Sequence, residues 1–84
     1  MNWQDIRKDY PERWLLVEAI NAHTEANKRI LNQIAVVGTF SNSITALESY
    51  KQLHHQFPER ELYVFHTSRE KLDIIERTWL GVRI

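Results

Sequence analysis

The spacing of apolar residues divides the chain into successive segments of regular secondary structure. In segment 2–9, Trp3, Ile6 and Tyr10 recur every three or four residues, which would align them on one face of a short helix. Asn2 is a residue type that caps helix N-termini, and the proline that follows disfavours helical geometry at Tyr10. Because two turns of helix are unstable alone, this helix requires a surface on which its apolar stripe packs.

The next two segments have the pattern of β-strands. Segment 14–21 is apolar on both alternating faces and contains Trp, Val and Ile, which favours a strand, although its spacing also fits a helix. The polar residues 22–28 would form a loop or hairpin tip. Segment 29–40 ends in an apolar run in which Gly38 indicates a bulge or a close backbone approach. The two strands are expected to form an antiparallel hairpin.

The fourth segment, 42–57, predicts an amphipathic helix of about four turns. It begins at the candidate N-caps Ser41, Asn42 and Ser43, and Pro58 stops it. Its buried face is expected to contain Ile44, Leu47, Tyr50, Leu53 or His54, and Phe57. If Leu47 lies under the sheet, its replacement by Ala should cost roughly 2–5 kcal/mol.

The fifth segment, 61–67, is apolar on both faces, which indicates an inner strand. Thr67 or Ser68 would then cap a helical turn over 68–72, with Glu70 completing a capping box. The tail that follows fits both helix and strand patterns, and we interpret it as an extended segment with a turn near its C-terminal glycine, residue 81.

These elements predict a single small α+β domain over residues 1–84. Its core would be a small, mostly antiparallel sheet with the order β-β-α-β, packed against one main amphipathic helix and preceded by a short N-terminal helix. One helix covers only one face of such a sheet, whereas two of the strands are apolar on both faces. The second face must therefore be covered by the terminal segments or by a second subunit.

Composition narrows the class of protein. The chain has 84 residues, of which 43% are hydrophobic, and its 11 basic and 11 acidic residues balance. That apolar content argues against disorder, and the lack of net positive charge argues against a nucleic-acid-binding protein. Without cysteine, disulfides and cysteine-bound zinc are excluded. No apolar run is long enough for a signal peptide or a membrane span, so a cytoplasmic protein without membrane association is expected.

The tetrapeptide pattern aromatic-Pro-Glu-Arg occurs twice, at residues 10–13 and 57–60, each time between a helix pattern and a strand pattern. Each strand is followed by a His-Thr pair, beginning at His23 and at His66. The repetition has two interpretations. One is an old duplication with two related sites; the other, which we favour, is that the same helix-stopping connector occurs twice.

Several of these stretches together resemble a known group of proteins. They are residues 14–17, the strand at 34–40, the helix capped by Asn or Ser, and residues 63–70. The pattern resembles short uncharacterised bacterial ββαβ proteins, which are sometimes encoded beside aspartic-protease-like genes. The resemblance covers residues 10–70 and implies a compact α+β module, with no catalytic residues to carry over.

Histidines are the candidate metal ligands. His54 and His55 are adjacent, so on a helix they diverge by about 100° and do not readily share a metal ion. His23 and His66 would meet only if their strand ends were neighbours. Because the usual ligand spacing is missing, we expect no metal and no cofactor.

The densest polar run, residues 66–70, follows directly after a strand. His66 beside Ser68 is a candidate base–nucleophile pair, while helix capping by Thr67 or Ser68 explains the same residue types more simply. The candidate ligand-binding residues are His66, Ser68, Arg69 and His23.

Three functional hypotheses follow. The favoured one is a non-catalytic protein-binding or assembly module, acting as a homodimer or through a protein partner encoded nearby, with Trp3, Trp14 and Trp79 as interface anchors. The second is a small hydrolase or metal-dependent enzyme that uses His66, Ser68 and His23. The third is an antitoxin-like regulatory module, which the balanced charge disfavours.

Overall fold

A computed structural model of the protein describes residues 1–75 as two helices and a four-stranded sheet. The elements in chain order are α1 (Trp3–Asp9), β1 (Trp14–Glu25), β2 (Lys28–Phe40), α2 (Ser43–Gln56), β3 (Leu62–His66) and β4 (Ile74–Ile75). The strands are ordered β3-β1-β2-β4 across the sheet, and each neighbouring pair is antiparallel. The predicted α+β class, with a β-β-α-β core after a short helix, is therefore confirmed.

Side chains and prolines set the ends of both helices. The side chains of Asn2 and Asn42 each accept a hydrogen bond from a first-turn backbone N–H at 2.9 Å. The helices end at Tyr10 and Phe57, which have nearly the same conformation: φ −128° and ψ 64° at Tyr10, φ −132° and ψ 70° at Phe57. Both residues precede a proline, which disfavours helical geometry there. The repeated tetrapeptide thus ends a helix in the same way twice. The two connectors then differ, because Glu12 has a positive φ of 54° and Glu59 does not.

The hairpin of β1 and β2 is longer than predicted. Residues 22–28 are not a loop: β1 continues to Glu25 and β2 begins at Lys28. The tip consists of Ala26 and Asn27, with φ of 47° and 67°. Positive φ at both central residues is the signature of a type I′ turn, whose twist matches that of the flanking strands. Residues 22–28 are polar, and polar composition is typical of a loop. The two strand ends are nevertheless polar here because they are exposed to solvent and need few apolar residues.

A bulge lies beside Gly38, as the sequence predicts. Leu16 pairs with Gly38 and Val17 pairs with Val36, so Val37 is the extra residue on β2. A Cβ atom on Gly38 would approach the Phe40 ring at 3.1 Å, which is closer than side chains normally pack. Glycine therefore serves here both for the bulge and for the close contact.

Both faces of the sheet are covered within one chain. Residues alternate in direction along β1, so Leu15 and Val17 face α1 whereas Leu16 faces α2. The core under α1 consists of Trp3, Ile6, Leu15, Val17, Ile34 and Phe65. The N-terminal helix thus covers the second face, which answers the question that the sequence left open.

The predicted buried face of α2 is wrong in part: Tyr50 is half-buried as expected, but three other residues of that face are exposed. Ala46 is fully buried and Leu53 is half-buried, while Ile44 is 70%, Leu47 46% and Phe57 44% exposed. The helix presents its smallest apolar side chain to the sheet, because a small residue lets the helix backbone approach closely. The larger apolar residues are consequently rotated toward solvent.

The helical turn predicted over 68–72 is also absent from the described part of the chain. Residues 67 and 68 form a turn. A bend follows at Glu70, and Asp73, with φ of 44°, directly precedes β4. Thr67 does not cap a helix: it is buried, its hydroxyl accepts a hydrogen bond from the Arg13 N–H, and its own N–H donates to the Arg13 carbonyl, both at 3.0 Å. The predicted turn at Gly81 lies outside the described residues.

Candidate functional site

Within residues 1–75, the outer edge of β3 is an unpaired sheet edge. On its inner side β3 pairs with β1 without any register shift, and no described strand pairs with its outer side. The Glu61 carbonyl accepts from Ala19 and the Thr67 N–H donates to Arg13, both toward β1. Because backbone groups alternate in direction along an antiparallel strand, those of Leu62, Val64 and His66 point away from β1. Three residues therefore offer backbone donors and acceptors at this edge.

A shallow apolar groove runs beside this edge, between β3 and α2. Its volume is about 240 Å³. It is lined by Leu47, Tyr50, Leu62, Tyr63 and Val64. We call these five residues and the outer edge of β3 the β3–α2 surface. Leu47 is exposed here because α2 presents Ala46, not Leu47, to the sheet.

The other sheet edge differs from β3. Along the outer side of β2, β4 pairs with Lys28 and Arg29, and the Met1 backbone exchanges hydrogen bonds with that of Ile34. Further along, the bulge at Val37 interrupts the strand. Covering an edge and bulging it are two ways in which proteins prevent strand addition. Neither device is found on β3 within residues 1–75.

A partly exposed ion pair between Arg29 and Glu61 holds β3 in place on the opposite face of the sheet. The Arg29 guanidinium donates two hydrogen bonds of 2.8 Å to the Glu61 carboxylate, and the Tyr63 hydroxyl donates a third at 2.6 Å. The guanidinium and then the hydroxyl lower the pKa of Glu61, while burial and the neighbouring carboxylate raise the pKa of Tyr63 to about 12. Tyr63 is therefore a neutral, fixed hydrogen-bond donor at neutral pH.

A second carboxylate–guanidinium pair joins β1 to the connector before β3. Arg60 donates hydrogen bonds of 3.0 and 2.6 Å to the two carboxylate oxygens of Glu18, and these bonds lower the pKa of that carboxyl. The Arg60 guanidinium also lies over the Phe57 ring at 5.5 Å. The bidentate Arg60–Glu18 ion pair thus fixes the N-terminal end of β3 in addition to packing.

His66 and Ser68 meet, but in a turn. The Nδ1 atom of His66 lies 2.8 Å from the Ser68 hydroxyl and also accepts a hydrogen bond from the Ser68 backbone N–H at 3.1 Å. An oxyanion hole requires backbone N–H groups that point at a substrate oxygen. The Ser68 N–H instead points at the His66 imidazole. The His66 ring packs edge-on against Trp14 at 5.0 Å. These contacts assign His66 and Ser68 a structural role in stabilising the turn after β3.

Arg69 is fixed by contacts within the chain. Its guanidinium lies 5.2 Å from the Phe65 ring, its Nε donates to the Lys71 carbonyl at 3.0 Å, and its own carbonyl accepts from the Trp3 indole at 2.7 Å. The predicted ligand-binding cluster of His66, Ser68 and Arg69 therefore lies together at the end of β3. Its polar groups are largely engaged with one another and with the core.

His23 lies far from His66. His66 pairs with Trp14 in the sheet, and His23 follows Trp14 by nine residues on the same strand, a separation of roughly 30 Å. The strand ends that carry the two histidines are not neighbours, so the condition for a shared site is not met. No group of three or more metal-ligating side chains occurs in residues 1–75.

At the hairpin tip, His23 has its own partners. Its ring nitrogens lie 2.8 Å from Glu25 Oε2 and 2.8 Å from Asn32 Oδ1. Both acceptors, the carboxylate first, favour the protonated ring and raise the pKa of His23. The other two histidines are on the exposed side of α2, where the His54 ring stacks on Tyr50 at 5.5 Å.

The three tryptophans predicted as interface anchors differ in position. Trp3 is only 6% exposed and belongs to the core under α1, so in this fold its ring packs within its own chain. Trp14 is half-buried at the start of β1. Trp79 lies outside the described residues. The sequence pattern did not mark Leu62, Val64 or Tyr50 as functional residues. The one signal for an exposed edge was a short strand without Asp, Glu, Lys or Arg.

Comparisons with known proteins add no identity: the sequence matches no family model, no curated protein and no solved structure. Within residues 1–75, neither helix has the length and apolar character needed to cross a membrane. The site must therefore be interpreted from its own geometry.

Proposed function

We propose that the chain is a non-catalytic binding or assembly module, which acts through the β3–α2 surface on an extended segment of protein. The proposed segment adds to the outer edge of β3 as a further strand, as in other cases of recognition by strand addition. The protein that supplies it is either a partner or a second copy of this chain. The proposed location is the cytoplasm.

One observation carries this proposal: the edge of β3, which no strand of residues 1–75 covers, is regular, free of Asp, Glu, Lys and Arg, and bordered by an apolar groove. The backbone groups of Leu62, Val64 and His66 would supply affinity through hydrogen bonds. The groove between Leu47, Tyr50 and Val64 would accept every second side chain of the added strand. Backbone pairing and a pocket for alternate side chains are together what strand recognition requires.

Proline substitution at Val64 tests the proposal. The Val64 N–H points away from β1, so Val64→Pro removes no hydrogen bond of the β1–β3 ladder but blocks an added strand. We expect a displayed library of short random peptides to yield binders with alternating apolar residues. Those peptides should bind the natural chain and lose roughly tenfold or more in affinity for the proline variant.

Ile20→Ser is the matched control, because Ile20 is 56% exposed on β1 and lies outside the β3–α2 surface. It should retain full peptide binding. Circular dichroism must show that both variants keep the fold. The proposed function would be contradicted if the proline variant bound the peptides as tightly as the natural chain. It would also be contradicted if the natural chain selected no peptides and stayed monomeric.

A further inference from the structure

We infer that the strand added at the β3–α2 surface is β3 of a second copy, so that two chains form one continuous sheet around a two-fold axis at Val64. This inference rests on the proposed function and names its partner. Three observations support it: the register that the edge allows, the charges at its two ends, and the apolar residues beside it.

The edge of β3 is complementary to itself. In an antiparallel pair, residues whose backbone groups point outward must stand opposite one another. The register that pairs all five residues of β3 places Val64 opposite Val64 of the partner subunit and Leu62 opposite His66 of the partner subunit. Each outward N–H and carbonyl within the strand then has a partner. No side chain of the paired residues carries a permanent charge.

Charges just beyond the strand favour the same antiparallel arrangement. Residues 59–61, before β3, carry two carboxylates and one guanidinium. Residues 69–71, after β3, carry two cations and one carboxylate. Antiparallel pairing brings the net negative end of one β3 to the net positive end of the other, twice by symmetry, whereas parallel pairing would bring like ends together.

The apolar residues of α2 complete the surface. A two-fold axis perpendicular to the sheet places both copies of α2 on the same face, one on each side of the new strand pair. Leu47 and Tyr50 line the groove on the β3 side of α2, and Leu47 is 46% exposed. In the pair they would face their counterparts across the axis. The exposed apolar surface of Leu47 and Tyr50 would thereby be removed from water.

Disulfide cross-linking tests which residues meet at the axis. Because the chain contains no cysteine, any disulfide must form at the single cysteine that is introduced. Two residues directly opposite one another in a hydrogen-bonded antiparallel pair have Cα atoms about 5.5 Å apart, within the range that a disulfide spans. Under mild oxidation, Val64→Cys should form a covalent dimer in high yield. A mixture of Leu62→Cys and His66→Cys chains should cross-link to each other more than to themselves.

Val37→Cys is the control, because Val37 is 41% exposed but lies on the bulge of β2, away from the proposed axis. It should remain monomeric under the same oxidation. Light scattering of the natural chain should give twice its mass of 10.1 kDa at high micromolar concentration. Val64→Pro should weaken dimerisation roughly tenfold or more, since it removes both hydrogen bonds at the axis.

The outcomes separate this inference from the proposed function. A monomer at high micromolar concentration that still binds selected peptides through Val64 would overturn self-pairing and leave strand addition intact. A dimer that cross-links through Val37 and not Val64 would overturn self-pairing at β3. A monomer that binds no peptides would overturn both.

Discussion

At the scale of single residues, burial decides which apolar side chains stabilise the fold. Leu15 is fully buried under α1, whereas Leu47 is 46% exposed beside the β3 edge. The two leucines are chemically identical, yet only one leaves a cavity when it is truncated. This contrast corrects the expectation from helix periodicity that Leu47 is a core residue.

We predict that Leu15→Ala lowers the free energy of unfolding by about 2–5 kcal/mol, the usual cost of removing a buried leucine. Leu47→Ala should cost less than about 1 kcal/mol in the monomer, because water already reaches that side chain. Urea unfolding of dilute samples measures both values. A cost for Leu47→Ala that equals the cost for Leu15→Ala would show that α2 packs differently.

At the scale of elements, α1 depends on tertiary contacts in addition to its Asn2 cap. The helix has seven residues. An isolated helix needs about 12–15 residues to be even marginally stable in water. Its buried residues are Trp3 and Ile6, and the Trp3 ring meets Phe65 edge-on at 5.6 Å. The Trp3 indole also donates a hydrogen bond of 2.7 Å to the Arg69 carbonyl, which joins α1 to the segment after β3.

Truncation of Trp3 should therefore release α1 from the sheet. We predict that Trp3→Ala costs about 3–5 kcal/mol, while Trp3→Phe keeps much of the packing and costs about 1–2 kcal/mol through the lost hydrogen bond and volume. Unfolding monitored by near-UV circular dichroism measures both. If Trp3→Ala were nearly neutral, the second sheet face would be covered by something other than α1.

The hairpin shows how tertiary structure extends an element beyond its apolar pattern. Residues 20–33 are mostly exposed, yet the ladder of β1 and β2 continues through them to the tip. The His23 ring binds Glu25 and Asn32, and so links β1 to β2 on the exposed surface. A strand pair of this kind is held mainly by its ladder and its turn, with Leu31 as its contact to the core.

At the scale of the whole molecule, two carboxylate–guanidinium pairs connect separate parts of the chain to β3. Glu61 binds Arg29 of β2 across β1, and Glu18 of β1 binds Arg60. Both carboxyls have pKa values below their ordinary value of about 4.5, the main cause in each case being hydrogen bonds from the arginine. A carboxyl whose pKa is lowered by folding stabilises the folded state above its unfolded pKa.

Stability should therefore decrease as the pH falls below about 4.5 and through the lower folded values. We predict that Glu61→Gln costs up to about 1 kcal/mol at neutral pH, because the pair is partly exposed to solvent, and that it flattens this acid dependence. Thermal unfolding between neutral and acidic pH measures the effect. Glu48→Gln, on the exposed side of α2, should leave the acid dependence unchanged; a parallel loss in both variants would assign the effect to overall charge.

The sequence by itself determined the local features of this protein. Asparagine caps, the two proline stops, the alternating strands and the glycine bulge depend on interactions within a few residues, so their positions follow from residue types. The order of elements and the α+β class follow from them. The exposed hairpin arm was missed, because its polar residues carry no burial signal.

Only the tertiary structure decided how these elements meet. The spacing of apolar residues on α2 allows several rotations, and close approach of Ala46 to the sheet selected the one that exposes Leu47. Thr67 is as suitable for capping a helix as for pairing with a neighbouring segment, and its two hydrogen bonds with the Arg13 backbone fix it in the turn after β3. The open edge of β3 depends on which strand lies next to β1. Such choices rest on contacts between residues far apart in the chain, and local spacing does not specify them.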